Sequence, residues 1–221
     1  MTLLLAPHVH AVRVDDDLVF LDVARDAYAC LPGLARTAAL YPDGRRLAVR
    51  DPEAGAELAA AGLVVPPSQA EAPDAEVARI DLAEPARSAL RDAYPAVTHR
   101  DAVAVARALV GVAGGYRGRP LRDIVDAAAR GRRSAPPRLN DRLLAACDRF
   151  QAWIPYAPVS GKCLLRSFML LQHLRKAGED AHWVFGVRTW PFHAHCWLQC
   201  EDMVLDDRFE RAASYTPILV A

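Results

Sequence analysis

Gly161-Lys162-Cys163-Leu164-Leu165-Arg166-Ser167 opens an apolar helical pattern, and His193-Ala194-His195-Cys196-Trp197-Leu198-Gln199 reads as a strand. The first stretch sets a thiol at a helix start. The second carries an imidazole 32 positions later. Twelve residues beyond His195 comes Asp207, at the end of Val204-Leu205-Asp206-Asp207. A thiol, an imidazole and a carboxylate in this order are the parts of a nucleophile, its base and the group that orients the base.

The pattern after Cys163 has apolar residues at Leu164, Phe168, Leu171 and Leu174, widened by Leu165, Met169 and Leu170. That is the spacing of a buried helix face. Gly178 stops it. The first turn of a helix holds unsatisfied N–H groups and partial positive charge, so a thiol there is biased towards thiolate. The same N–H groups suit an oxyanion, and Pro158 and Gly161 permit a sharp entry. Strands are expected over 181–187, 192–200 and 203–207, with Glu201-Asp202 as a turn. Alternation sets His193, His195, Trp197 and Gln199 on one face of the middle strand and Ala194, Cys196, Leu198 and Cys200 on the other. If the second set is core, His195 points outward towards the cysteine helix, with Asp207 on the neighbouring strand. Gln151, Trp153 and Tyr156 are candidates for a second oxyanion donor.

Two other readings of these residues compete. Cys30, Cys147, Cys196 and Cys200 read as buried core thiols. His193, His195, Cys196 and Cys200 also form a zinc-type ligand set, but a regular strand sends the histidines and cysteines to opposite faces, and no C-x2-C pair occurs. No metal and no cofactor is expected.

The 221 residues suit one large domain or two small ones. The chain is 52% hydrophobic and 24% charged, enough for a packed core. Lys+Arg and Asp+Glu each total 27, a balance that does not favour nucleic acid as partner. Five unevenly spread cysteines do not form a secreted disulfide framework. The short apolar N-terminus lacks a basic region and is broken by Pro7, and no run reaches the ~18 apolar residues of a membrane span. A cytoplasmic protein without membrane contact is expected.

Earlier in the chain, strands are expected over 8–14, 18–23 and 27–31, with the turn at Asp15-Asp16-Asp17. Residues 34–40 read as helical. A helix is expected over 52–61, with Gly62 as its stop, followed by Leu63-Val64-Val65. Pro66-Pro67-Ser68-Gln69-Ala70-Glu71-Ala72-Pro73 reads as a linker. The expected organisation is a unit over 1–66, a linker over 67–78 and a second unit over 79–221. Residues 79–82 read as extended. Helices are expected over 84–93, 99–113, 120–130 and 139–151, with Gly114-Gly115 and Ser134-Ala135-Pro136-Pro137 as breaks.

The order of a cysteine helix, a histidine strand and an acid resembles papain-like and transglutaminase-like thiol sites. Cys163-Leu164-Leu165-Arg166-Ser167, Ala194-His195-Cys196-Trp197-Leu198-Gln199 and Val204-Leu205-Asp206-Asp207 together resemble the leader peptidase, or B protein, of lasso-peptide biosynthesis. Cys196 and Gln199 depart from the Ala and Glu often found there. Leu18-Val19-Phe20-Leu21-Asp22-Val23, with Tyr28 before Cys30-Leu31, is similar to the precursor-recognition element of peptide-modifying systems. The resemblance implies an α+β chain: a small winged-helix-like recognition domain with a three-stranded sheet, then a transglutaminase-like or papain-like domain of helices packed on an antiparallel sheet. It implies a cysteine peptidase that cuts the leader from a ribosomally made precursor peptide, with Cys163, His195 and Asp207 as the triad. A partner cyclase of the asparagine-synthetase-like type would then close the ring. The leader would add as a strand along Tyr28, Ala29, Cys30 and Leu31, near Leu58. The alternatives are an acyl transferase using the same thiol, and a non-enzymatic peptide- or DNA-binding protein.

Overall fold

The computed structural model describes residues 1–67, 82–98, 103, 116, 118–133, 135–157 and 163–221. The chain is mixed α and β with largely antiparallel sheets.

Strand β1 (Thr2–Leu5) comes first, then β2 (Val9–Val14), β3 (Asp17–Asp22) and β4 (Ala27–Leu31). β2, β3 and β4 form an antiparallel three-stranded sheet. The β2–β3 turn is Asp15-Asp16, with Asp15 at φ 53°, the left-handed conformation that tight hairpins require. β3 is buried at every residue. Leu18 and Phe20 pack in a core with Leu3, Leu47 and Leu58. Val19 and Leu21 face the other way and join the core of the C-terminal half, with Phe150, Phe168 and Leu171. A strand covered on both faces is continuously apolar rather than alternating, and Leu18-Val19-Phe20-Leu21 reads that way.

β1 is central in a second sheet of order β5-β6-β1-β7, with β5 (Ala38–Leu40), β6 (Arg46–Val49) and β7 (Val64–Val65). Helix α1 (Pro52–Ala60) lies between β6 and β7; the Asp51 carboxylate accepts from Glu53 N–H at its start, and Gly62 follows it at φ 72°. Residues 1–67 thus hold seven strands, one α-helix and one 3-10 turn.

The C-terminal sheet has the order β12-β9-β10-β11-β8, with β8 (Arg87–Ser88), β9 (His182–Arg188), β10 (His193–Cys200), β11 (Met203–Val204) and β12 (Thr216–Val220). All its pairs are antiparallel except β11–β8. Helices α2 (Leu121–Arg130), α3 (Asp141–Trp153) and α4 (Cys163–Lys176) supply the main core against it; a short helix α5 (Phe209–Ala212) precedes β12. Phe150, Trp153, Phe168, Leu171, Trp183 and Leu198 meet there, all nearly or fully excluded from solvent. Each such side chain contributes roughly 1.5–3 kcal/mol by leaving water. α3 starts where Asn140 Oδ1 accepts from Leu143 N–H at 2.9 Å.

Several expectations are corrected. Residues 34–40 are one 3-10 turn, Leu34–Arg36, followed by β5, because Ala38–Leu40 pairs with β6. β1 and β6 are further strands outside the sequence expectations, and they pair with each other. No helix covers 84–93: Ala86 and Arg87 donate their N–H groups to Asp202 O, Ala89 donates to Val204 O, and the Arg87 guanidinium pairs with the Asp202 carboxylate. A sheet edge overrides the helix propensity of the alanines. β11 ends at Val204 instead of reaching Asp207. The Asp206 carboxylate, rather than a backbone carbonyl, takes the Leu198 N–H. The expected linker past residue 67, residues 79–81, the helix over 99–113 apart from residue 103, Gly114-Gly115, Ser134, Pro158 and Gly161 lie outside the described residues.

Among the described residues, no helix is long and apolar enough to cross a membrane.

Candidate active site

Cys163 begins α4, which Gly178 ends at φ 84°. α4 packs on the face of β10 that carries Cys196, Leu198 and Cys200. His195 leaves the opposite face, and that face is not open to solvent. Trp197, Val184 and Tyr215 form a smaller apolar cluster there, with the His195 ring 5.3 Å from Tyr215 and 6.0 Å from Trp197. His195 is only 6% exposed; the cysteine helix, expected on the His195 face of β10, packs on the opposite one.

Cys163 and His195 line one cavity beside the edge of β10 that faces β11, together with Ala194 and Cys196. The Cys163 thiol is electrostatically tied to the Cys196 side chain, the His195 ring and the Cys196 backbone N–H, all of which favour its thiolate. β11 pairs with β10 only at Gln199 and Cys200, which leaves the upstream part of that edge without a strand. Two residues further on, Leu198 N–H on the same edge donates to Asp206 Oδ1 at 2.9 Å.

Asp207 follows in the bend after β11, and its Oδ2 lies 2.7 Å from His195 Nε2. With Nε2 turned to the carboxylate, Nδ1 is the nitrogen left for the sulfur. Asp207 is itself held by Arg208 N–H at 2.8 Å and by Arg211 at 3.6 Å.

The electrostatics separate the proton affinities of the pair. The hydrogen bond from Cys196 and then that from His195 outweigh burial and bring Cys163 down to about 4. Burial works against a charged His195, but its hydrogen bonds to Asp207 and Cys163 prevail and raise it to about 9. Burial also disfavours the Asp207 anion, yet its hydrogen bonds to His195 and Arg208 N–H lower its pKa overall. These opposite shifts favour a thiolate beside an imidazolium. The other cysteines are pushed the opposite way: Cys147 and Cys200 to about 12 by burial, Cys30 and Cys196 also upward.

The site opens into a cavity of about 850 Å³ lined by Cys163, His195 and Asp207 together with Gln151, Arg166 and Asp206. Arg166 donates to Gln151 Oε1 at 2.6 Å. Asp206 is raised to about 7 by burial, against the Leu198 N–H and the Arg166 charge. Of the upstream residues, Gln151 reaches the cavity, Trp153 is buried beside Phe150, and Tyr156 is 78% exposed. The sequence reading missed Asp206, Arg166 and Cys196 as part of this neighbourhood. The doubled acid Asp206-Asp207 and the cysteine adjoining His195 were the available signals.

Tyr28, Ala29, Cys30 and Leu31 lie on β4, a sheet edge that pairs with β3 on one side only among the described residues. Tyr28 and Cys30 face the C-terminal core, and Tyr28 packs on Phe192 at 5.8 Å. Leu58, on α1, is 3% exposed and packs in the N-terminal core. Among the described residues, no group of three His, Cys, Asp or Glu side chains converges as a metal-binding set.

A family model described as the transglutaminase-like superfamily matches residues 106–220, just over half of the chain. The chain belongs to the transglutaminase-like superfamily. A 45-residue stretch is 42% identical to the microcin J25-processing protein McjB of Escherichia coli, covering 20% of this chain and 22% of that protein. The match therefore spans about a fifth of this curated relative's length. No solved structure matches the chain.

Proposed function

We propose that this transglutaminase-like protein is a cysteine peptidase that removes the leader from a ribosomally made lasso-peptide precursor. The observation that carries the reading is the hydrogen bond between His195 and Asp207 with Cys163 beside them, all three at the wall of one open cavity. The similarity of one stretch to a peptide-processing protein supports peptide as the substrate class.

In this proposal the Cys163 thiolate attacks the carbonyl at the leader–core junction. The His195 imidazolium gives its proton to the departing amine, and a thioester to the leader remains. His195, now neutral, takes a proton from water as the water attacks the thioester, and the leader leaves as an acid. Asp207 keeps the ring oriented and balances its charge through both steps. Residues 1–66 serve as the recognition unit and 79–221 as the peptidase. The leader adds along the open edge of β4 at Tyr28–Leu31, and backbone hydrogen bonds hold it as an extra strand. A partner cyclase takes the freed core.

The same thioester passed to an amine would make the protein an acyl transferase, a reading favoured by nothing beyond the superfamily itself. Mass spectrometry of a full-length precursor incubated with the protein separates the two. The proposal expects two fragments whose summed mass exceeds the precursor by one water. Intact precursor, or a product that has lost an amine without gaining water, would overturn it.

A further inference from the structure

The Asp207 carboxylate holds the His195 ring at one atom, Nε2, at 2.7 Å. One hydrogen bond fixes one ring atom. The terminal torsion of a histidine side chain is broad and roughly two-fold, so the bond by itself leaves the ring plane free to swing. A ring that swings carries Nδ1 away from the cavity that His195 shares with Cys163.

Two aromatic side chains restrict that swing. The Trp197 indole stacks on the imidazole, with centroids 6.0 Å apart and planes at 25°. The Tyr215 ring, in the bend just before β12, meets the imidazole at 5.3 Å and 43°. Trp197 is completely buried, and its Nε1 donates to Gln199 Oε1 at 2.9 Å. The Arg188 guanidinium lies 5.2 Å from the centre of the Tyr215 ring, a cation–π contact.

The room for both rings comes from Gly186. On β9 it is the cross-strand partner of His195, so a side chain there would stand on the same face of the sheet. A Cβ added to Gly186 would lie 2.7 Å from Trp197 Cζ3 and 2.9 Å from Tyr215 Cβ. The indole is pinned through Gln199, and Tyr215 Cβ is the root of its side chain, so neither yields easily. A glycine inside a strand weakens the strand and often marks a close approach. Here the rings that approach are the two that crowd His195.

We propose that Gly186 and Tyr215 are positioning residues for His195: the glycine opens the space, and the tyrosine ring, together with Trp197, holds the imidazole in the plane that sets Nε2 on Asp207 and Nδ1 towards the cavity. They act through His195 and do not touch substrate. The inference rests on His195 being the acid and base of the proposed reaction.

The test uses the full chain and two readouts. In steady-state cleavage of the precursor, Tyr215→Leu should lower kcat by about tenfold to a hundredfold, the scale on which a misplaced reacting group acts, with KM within about twofold. Tyr215→Phe keeps the ring and should restore kcat to within about threefold. Gly186→Ala should act as Tyr215→Leu does. Tyr215→Met replaces the leucine variant if that one does not fold. The second readout needs no cleavage: in proton NMR spectra, the Nε2 proton that His195 shares with Asp207 should be a sharp downfield signal in the unaltered protein and in Tyr215→Phe, and should broaden in Tyr215→Leu. A leucine variant with full kcat, or with reduced kcat and a signal still sharp, would overturn the proposal. So would a phenylalanine variant as impaired as leucine, which would assign the effect to the hydroxyl, and full activity in Gly186→Ala would remove the role of the glycine. A signal that broadens in a protein that cuts no precursor keeps the aromatic bracket and removes the peptidase reading, whereas cleavage that the leucine substitution leaves intact does the reverse.

Discussion

Cys163→Ala leaves the protein folded and lowers precursor cleavage by more than about a thousandfold, the scale on which loss of a covalent nucleophile acts. The side chain is half-buried at the start of α4, and alanine is a good helix former. The substitution removes little packing. The reaction loses the atom that forms the thioester, and His195 and Asp207 have no sulfur left to serve. Cys196 cannot take over, because it is buried and held protonated. Leader binding, which the account assigns to β4, persists in the variant. The check is a timed precursor digest followed by mass spectrometry, with a labelled leader titrated into the same sample. Cleavage within tenfold of the unaltered protein would show that another group does the chemistry.

Trp183→Ala costs about 3–5 kcal/mol of stability. The indole is completely buried, lies 4.9 Å from Phe185 and 5.8 Å from Phe168, and donates to Ser167 Oγ at 2.8 Å. It sits on β9 opposite Leu198, where its backbone also pairs with Ala221. Truncation opens a cavity between the sheet and α4, and it strips Ser167 of the donor that steadies it under Cys163. Urea denaturation followed by circular dichroism should show the midpoint falling with little change in slope. A loss below about 1 kcal/mol would mean that the sheet and α4 close over the gap, and that this region is less tightly packed than the contacts indicate.

Elements with a strong pattern were legible before any coordinates. The α4 face from Leu164 to Leu174, its stop at Gly178, and the β2–β4 meander all follow from spacing and turn residues. Cys163, His195 and Asp207 stood out because each falls at an element boundary or on a marked strand. Elements that owe their form to distant partners were not legible. β8 is a strand because Asp202 and Val204 take its N–H groups, across more than a hundred residues of chain. β5 is a strand because β6 lies beside it. Alternation sorted the β10 side chains onto two faces, but it could not show which face α4 covers, so it set the cysteine helix on the His195 side instead of the Cys196 side.

The claim on which all of this turns is that Cys163 rests as a thiolate while the other four cysteines stay protonated. It is measured by treating the intact protein with iodoacetamide across a pH series and mapping the label residue by residue. The account predicts alkylation of Cys163 alone at about pH 6. Its rate should be level towards higher pH and fall only near the pH of about 4 at which the sulfur regains its proton. A protein inert at about pH 6, whose labelling begins only near the ordinary thiol value of about 8.5 or falls first on another cysteine, would contradict it.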